Sequence, residues 1–209
     1  MEAGKLLVFE GPDGIGKSKL SELTATWLFQ KDVPVRSFSF PGNEQNTLGA
    51  LVYDIHHNYR DRFSIAEIDP LSLQLLHVAA HIDELRRVIR PAIESGRWVV
   101  LDRFWWSTWV YGIATGAFQP SLEQVIDAER LYWGDLRPSV LFLVSRSEAI
   151  RKEHSKESYD RLSELYSQIA AREDGSCHVQ KIENEVLEQS FDQVVSQLKP
   201  MLEAPGSRR

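Results

Sequence analysis

Gly11-Pro12-Asp13-Gly14-Ile15-Gly16-Lys17-Ser18 fits the spacing G-x-x-x-x-G-K-[ST], and few patterns restrict a fold so tightly. The apolar run Leu6 to Phe9 comes just before it, and Leu20, Leu23 and Trp27 recur after it at three and four residues. That recurrence predicts a helix with one apolar stripe, running to about Lys31. A glycine turn held between a buried strand and a helix start points successive backbone N–H groups inward, and the helix dipole adds positive charge at the same place. A polyphosphate fits that concavity. Phosphate contacts are expected from Gly11, Asp13, Gly14, Ile15, Gly16, Lys17, Ser18 and Lys19. Lys17 reaches the bridging and terminal phosphates as a point charge, and the Ser18 hydroxyl is placed to hold Mg²⁺. The spacing therefore predicts a site for ATP with Mg²⁺; the bland alternative is a glycine-rich turn that only caps a helix.

Beyond this turn, short apolar runs alternate with segments of helical period, the pattern of parallel strands joined by crossover helices. Strands are expected at Lys5 to Glu10, Val35 to Phe40, Trp98 to Asp102, Val140 to Val144 and His178 to Ile182. The expected class is α/β, three layers around a five-stranded parallel sheet. Asp69 before Pro70 reads as a helix cap, and Leu75, Ala79, Ile82, Ile89 and Ile93 continue one stripe to Gly96, with a kink at Pro91. Ser121 with Gln124 resembles a capping box opening a helix to about Trp133. Tyr159, Leu162, Tyr166 and Ile169 mark another helix, and Leu187, Phe191, Val194 and Leu198 mark the last. A single domain is expected over residues 1–200, followed by a frayed tail. At 23.9 kDa the folded chain buries roughly 70% of its unfolded surface, enough for one solid core.

Charge narrows the function. With 24 Lys+Arg against 30 Asp+Glu, the net charge of −6 argues against a protein that grips nucleic acid by bulk electrostatics. The lone cysteine, Cys177, excludes an internal disulfide and suits a reducing compartment, the cytoplasm. No run approaches the ~18 apolar residues of a membrane span, so no membrane partner is expected.

A second polar edge follows the apolar run Trp98 to Leu101, which ends in Asp102 and Arg103. Ligands of an open parallel sheet sit beyond the carboxyl ends of its strands, so this pair and the glycine turn are expected to share one crevice. There Asp102 holds Mg²⁺ directly or through water, and Arg103 turns its forked donors on a phosphate. A structural ion pair is the alternative.

Taken together, Phe9 to Ser18, Phe40-Pro41-Gly42 with Thr47 and Gly49, Leu75-Leu76, Ala79-Ala80, Val88 to Ile93, Gly96, Trp98 to Phe104, Ser107 and Tyr111 resemble the thymidylate kinases, P-loop nucleoside monophosphate kinases. The resemblance is good through about residue 112, thins after Pro138 and covers somewhat more than half the chain. It implies transfer of the terminal phosphoryl group of ATP to the 5′-phosphate of a deoxynucleoside monophosphate, dTMP first, by a homodimer. It puts Asp13 at the acceptor's sugar hydroxyl, Arg103 on its phosphate with Asp102 beside it, and Tyr111 against the 2′ position of the sugar. Phe40 and Ser107 complete the implied acceptor site.

The chain also departs from that family. His77 stands where a phenylalanine stacks on the base, and His81 where an arginine reaches the base edge. They are one helical turn apart, and an imidazole can stack or hydrogen-bond; surface histidines are the alternative. Ser39 stands where an acceptor-phosphate arginine is common, with Arg36 nearby as a substitute. The basic segment at about 145–157, shorter than in typical members, is the expected lid, closing over the migrating phosphoryl group. Because the phosphate loop carries Gly14 rather than a basic residue, family logic assigns the catalytic arginine to Arg151, giving the catalytic set Lys17, Asp102, Arg103 and Arg151. A solvated charged helix is the alternative. Phe104, Trp105, Trp106, Trp109 and Tyr111 either wall a pocket or pack the core. Two rival functions remain: a P-loop kinase of a nucleoside or other small hydroxyl compound, and an ATP-binding regulatory protein without transfer chemistry.

Overall fold

Leu6–Glu10 (β1) is buried at every residue, as a strand covered on both faces must be. The computed structural model describes residues 3–42, 44–148 and 155–203. Around β1 stand Val35–Ser39 (β2), Trp98–Asp102 (β3), Val140–Ser145 (β4) and Val179–Glu183 (β5). The sheet runs β2-β3-β1-β4-β5 and every pairing is parallel. The helices are Lys17–Gln30 (α1), Leu48–Asn58 (α2), Pro70–Glu84 (α3), Arg90–Glu94 (α4), Trp105–Ala114 (α5), Gln119–Trp133 (α6), Lys156–Arg172 (α7) and Leu187–Glu203 (α8).

Successive strand residues point to opposite faces. Leu7, Phe9, Val100 and Phe142 pack with Leu20 and Leu28 of α1 and Val194 and Leu198 of α8. Leu6, Val8, Leu101 and Leu141 pack instead with Ile89, Trp106, Leu122 and Tyr166. These are the three layers expected of the class.

Asp69 caps α3 as its sequence predicts, its Oδ1 accepting from Ser72 N at 3.0 Å. The long helix to Gly96 is not continuous. A π turn, Leu85–Ile89, separates α3 from α4. Pro91 has no N–H to give and its ring crowds the carbonyl four residues back, so the hydrogen bonding widens upstream of the proline. Ser121 does not form its expected capping box: α6 starts at Gln119, with Phe118 before it, no side-chain cap and Pro120 in its first turn. Of the tail expected to fray from Pro200, the described residues to Glu203 are helical, since α8 runs through Pro200. Half of the expected strand limits shift, each by one residue.

Two consequences position the site. Phe9 of β1 pairs with Asp102 of β3, so Gly11 and Arg103 leave adjacent strand ends. The last residues of β1 and β3 therefore open on one edge of the sheet, at the crevice where α/β folds take ligands.

Candidate active site

The glycine turn is tight because its backbone has no room for side chains. Gly11 has φ 139°, and a Cβ there would lie 2.2 Å from Val144 O on the neighbouring strand. Gly16 caps α1 in the left-handed region at φ 90°, which turns the chain into the helix without a side-chain cap. Ile15 is buried, and its carbonyl accepts from Asn184 Nδ2 at 2.6 Å, which ties the turn to the loop after β5.

Lys17 is buried, with Nζ donating to Pro12 O at 2.5 Å. Burial, followed by repulsion from Arg103, lowers its pKa to about 8, against the opposing pull of Asp102, Asp13 and Glu10. Lys19 turns outward and pairs with Glu22 at 2.9 Å.

Across the sheet edge, Arg103 occupies the left-handed region at φ 72°, uncommon for a residue with a side chain. It donates from Nη1 to Ser107 Oγ at 3.0 Å and forms an ion pair with Asp13. Asp13 is gripped in turn by Tyr111, whose hydroxyl donates to Oδ2 at 2.6 Å and accepts from the Asp13 N–H at 3.1 Å. Thus the cation expected on the acceptor phosphate and the phosphate loop meet directly. Asp13, Ser18, Asp102, Arg103, Ser107 and Tyr111 line one cleft of about 590 Å³. Asp102 Oδ1 is buried there without a hydrogen-bond partner.

Glu10, which sequence reasoning passed over, holds this arrangement from behind. Its carboxylate accepts from Phe104 N at 2.7 Å, Ser107 N at 3.0 Å, Ser107 Oγ at 2.7 Å and Tyr166 OH at 3.1 Å. A strand residue therefore caps the start of α5, beside Arg103. Burial pushes the Glu10 carboxyl up, and Arg103 and the Ser107 hydrogen bonds pull it back. Glu10→Ala is expected to lower stability by about 2–4 kcal/mol, because it takes the acceptor from the buried Phe104 N–H and from the buried Tyr166 and Ser107 hydroxyls. Chemical denaturation measures it, and an unshifted midpoint would mean the cap contributes nothing.

The far wall of the cleft contains Phe40, His77 and His81 as expected, together with Tyr53, His56 and His57 of α2. His77 is committed: its Nε2 lies 3.0 Å from His56 Nδ1, and burial and then neighbouring His81 and His56 lower its pKa to about 2. His81 stacks flat on Phe40, centroids 4.0 Å apart at 11°. These are not surface histidines. Among the described residues no three His, Cys, Asp or Glu side chains assemble as a metal-ligand set.

Other expectations fall elsewhere. Trp105, Trp106 and Trp109 are buried in the core beneath α5 and do not line the cleft. Arg36 lies over the Phe38 ring at 5.0 Å, outside the cleft lining. Arg151, with residues 149–154 of the expected lid, lies outside the described residues. No described helix is long and apolar enough to cross a membrane.

A parallel sheet with β1 at its centre, followed by a glycine turn that enters α1 through a buried lysine, defines a P-loop kinase fold. The crystal structure of thymidylate kinase from Ehrlichia chaffeensis has the same fold: TM-score 0.73, 23% identity, covering 94% of this chain and 100% of that one. A family model described as thymidylate kinase matches residues 9–194, and the chain belongs to the thymidylate kinase family. The thymidylate kinase of Chlorobium chlorochromatii (strain CaD3) is 35% identical over 156 residues, 72% of this chain and 65% of that protein. That of Desulfotalea psychrophila (strain LSv54 / DSM 12343) is 35% identical over 113 residues, 54% of this chain and 52% of that protein. These matches span less than two thirds of either relative's length.

Proposed function

We propose that this chain transfers the terminal phosphoryl group of ATP to the 5′-phosphate of a deoxynucleoside monophosphate, dTMP first. The observation that carries the reading is the single cleft in which Arg103 faces the glycine turn, joined to it through Asp13. The turn's backbone amides and Lys17 take the donor phosphates, and Arg103, held by Ser107 and Asp13, takes the acceptor phosphate. Two anions then lie with their reacting atoms close, which is the main requirement of phosphoryl transfer. An acceptor phosphate oxygen is already anionic, so no general base is needed: it bonds to the terminal phosphorus as the bond to the bridging oxygen breaks.

Ser18 and Asp102 fit Mg²⁺, since both line the cleft and a buried Asp102 oxygen lacks a partner. Mg²⁺ prefers a few oxygen ligands plus water and supplies charge neutralisation on the phosphates. Tyr111, fixed on Asp13, limits room beside the sugar and supports deoxyribose. Phe40, His77 and His81 make the wall for the base. Within a single domain, a lid at about 145–157 carries Arg151 over the transferred group. A homodimer is supported by two large apolar side chains exposed on α6, Leu131 and Tyr132. A lone cysteine suits the cytoplasm.

ADP release from ATP and Mg²⁺ with a panel of nucleoside and deoxynucleoside monophosphates tests the whole. Turnover is expected with deoxynucleoside monophosphates and not with nucleosides. ATP binding without acceptor-dependent ADP would instead support the regulatory rival, and turnover of nucleosides alone the other.

A further inference from the structure

Behind the far wall of the cleft lies a second buried carboxylate. Glu129 of α6 is fully buried, within a core that includes Leu122, Ile126 and Trp133. Its Oε1 faces His81 Nδ1 at 3.1 Å and accepts from Trp133 Nε1 at 3.3 Å, while Oε2 has no partner. Burying a carboxylate so incompletely satisfied is costly, and an apolar residue of that size would serve packing better. What Glu129 touches is a ring of the candidate base wall. His81 is 3% exposed, lies flat on Phe40 and lines the cleft. Phe40 fixes the plane of that ring, and Glu129 fixes its rotation.

We propose that Glu129 is a positioning residue that keeps the His81 proton on Nδ1, making Nε2 a hydrogen-bond acceptor for the base of the bound nucleotide. This rests on the reading of the cleft as the acceptor site. A neutral imidazole carries one N–H and one lone pair, and an ionised carboxylate offers lone pairs only. The N–H therefore faces Glu129, and the lone pair is left on Nε2. An acceptor nitrogen in a nearly dry wall favours a base edge that presents N–H and disfavours one that presents only a carbonyl there. His77 cannot take this role, since its Nε2 is already engaged with His56. Thymine presents an N–H at position 3 where cytosine has a bare nitrogen, and cytosine an amine at position 4 where thymine has a carbonyl, so the tautomer held by Glu129 is expected to set the ranking of dTMP against dCMP.

Two readouts test this. Spectra of ¹⁵N-histidine-labelled protein at about pH 8, above the ordinary imidazole range, report the tautomer, with His81 assigned through a His81→Phe variant. The expected result is an Nδ1-protonated ring in the wild type and an Nε2-protonated ring in Glu129→Leu. Glu129→Gln is the conservative control: its amide oxygen, held by the Trp133 N–H, still accepts from Nδ1 and keeps the wild-type tautomer. In parallel, Glu129→Leu is expected to change the kcat/KM ratio of dTMP to dCMP by about tenfold, with the KM for ATP unchanged and Glu129→Gln within about twofold of wild type. An Nε2-protonated His81 in the wild type overturns the proposal. So does an unchanged ratio in Glu129→Leu, or an equal loss with both acceptors and ATP. If Glu129→Leu does not fold, the wild-type and Glu129→Gln spectra decide. If the wild type phosphorylates no monophosphate, the kinase reading falls, and the spectra still decide the tautomer.

Discussion

Lys17→Ala is expected to lower kcat/KM for phosphoryl transfer by about 10²–10³-fold, the cost of one buried group aimed at charge that moves during reaction. Coupled ADP release measures the rate, and calorimetry is expected to show weaker ATP binding. The ammonium sits in a pocket that disfavours its charge, since burial and Arg103 lower its pKa to about 8. Bound donor phosphates are expected to supply the missing counter-charge and raise that value. Below about pH 8 the free protein already carries the proton, and ATP affinity does not change with pH through this group. Above it, binding must take up a proton, so apparent affinity falls about tenfold per pH unit until the bound-state value is reached. Titrations in buffers of different ionisation heat read that proton directly. Uptake at about pH 9 is expected in the wild type and absent in Lys17→Ala; proton-neutral binding by the wild type there would remove Lys17 from the donor site.

Arg103→Lys is expected to lower kcat/KM for the acceptor by about 10³-fold while leaving the KM for ATP near wild type. The substitution keeps the charge and removes the fork. In the wild type that fork spans Ser107 Oγ and the Asp13 carboxylate, two directions that a single ammonium cannot serve in plane. The change is therefore one of orientation, and it separates acceptor positioning from simple attraction. Steady-state kinetics with each substrate varied in turn provide the check. Equal losses for ATP and acceptor would mean that Arg103 supports the glycine turn and does not hold the acceptor.

Much of the frame was legible because it obeys local rules. Each strand is a short apolar run, and Asp69-Pro70 starts α3 where capping chemistry demands. The glycine turn needed nothing beyond its spacing. Helix α2 was missed although Thr47 caps it by accepting from Ala50 N at 3.1 Å. Leu48, Leu51, Val52 and Ile55 carry its period, but the stretch reads first as a continuation of a loop. With it went Tyr53, His56 and His57. Helix α5 was hidden by its aromatic density, which left pocket wall and core packing both open; in the fold Trp105, Trp106 and Trp109 are core, while Phe104 and Tyr111 line the cleft. Glu10 and Glu129 were illegible for another reason. Each meets its partners across long separations, Tyr166 from Glu10 and His81 from Glu129, and no local pattern encodes such a meeting.

Glu10 carries one further consequence. The residue that leads into the donor turn is also the one that caps the helix beside the recipient arginine. The interval between giver and receiver is therefore fixed by one buried carboxylate together with the pairing of the two strands it joins. Accommodation of nucleotides of different size is expected on the opposite bank, where α2 and α3 meet through the paired imidazoles of His56 and His77. In descendants of this chain, new substrate tastes would be written on that bank, with the carboxylate untouched.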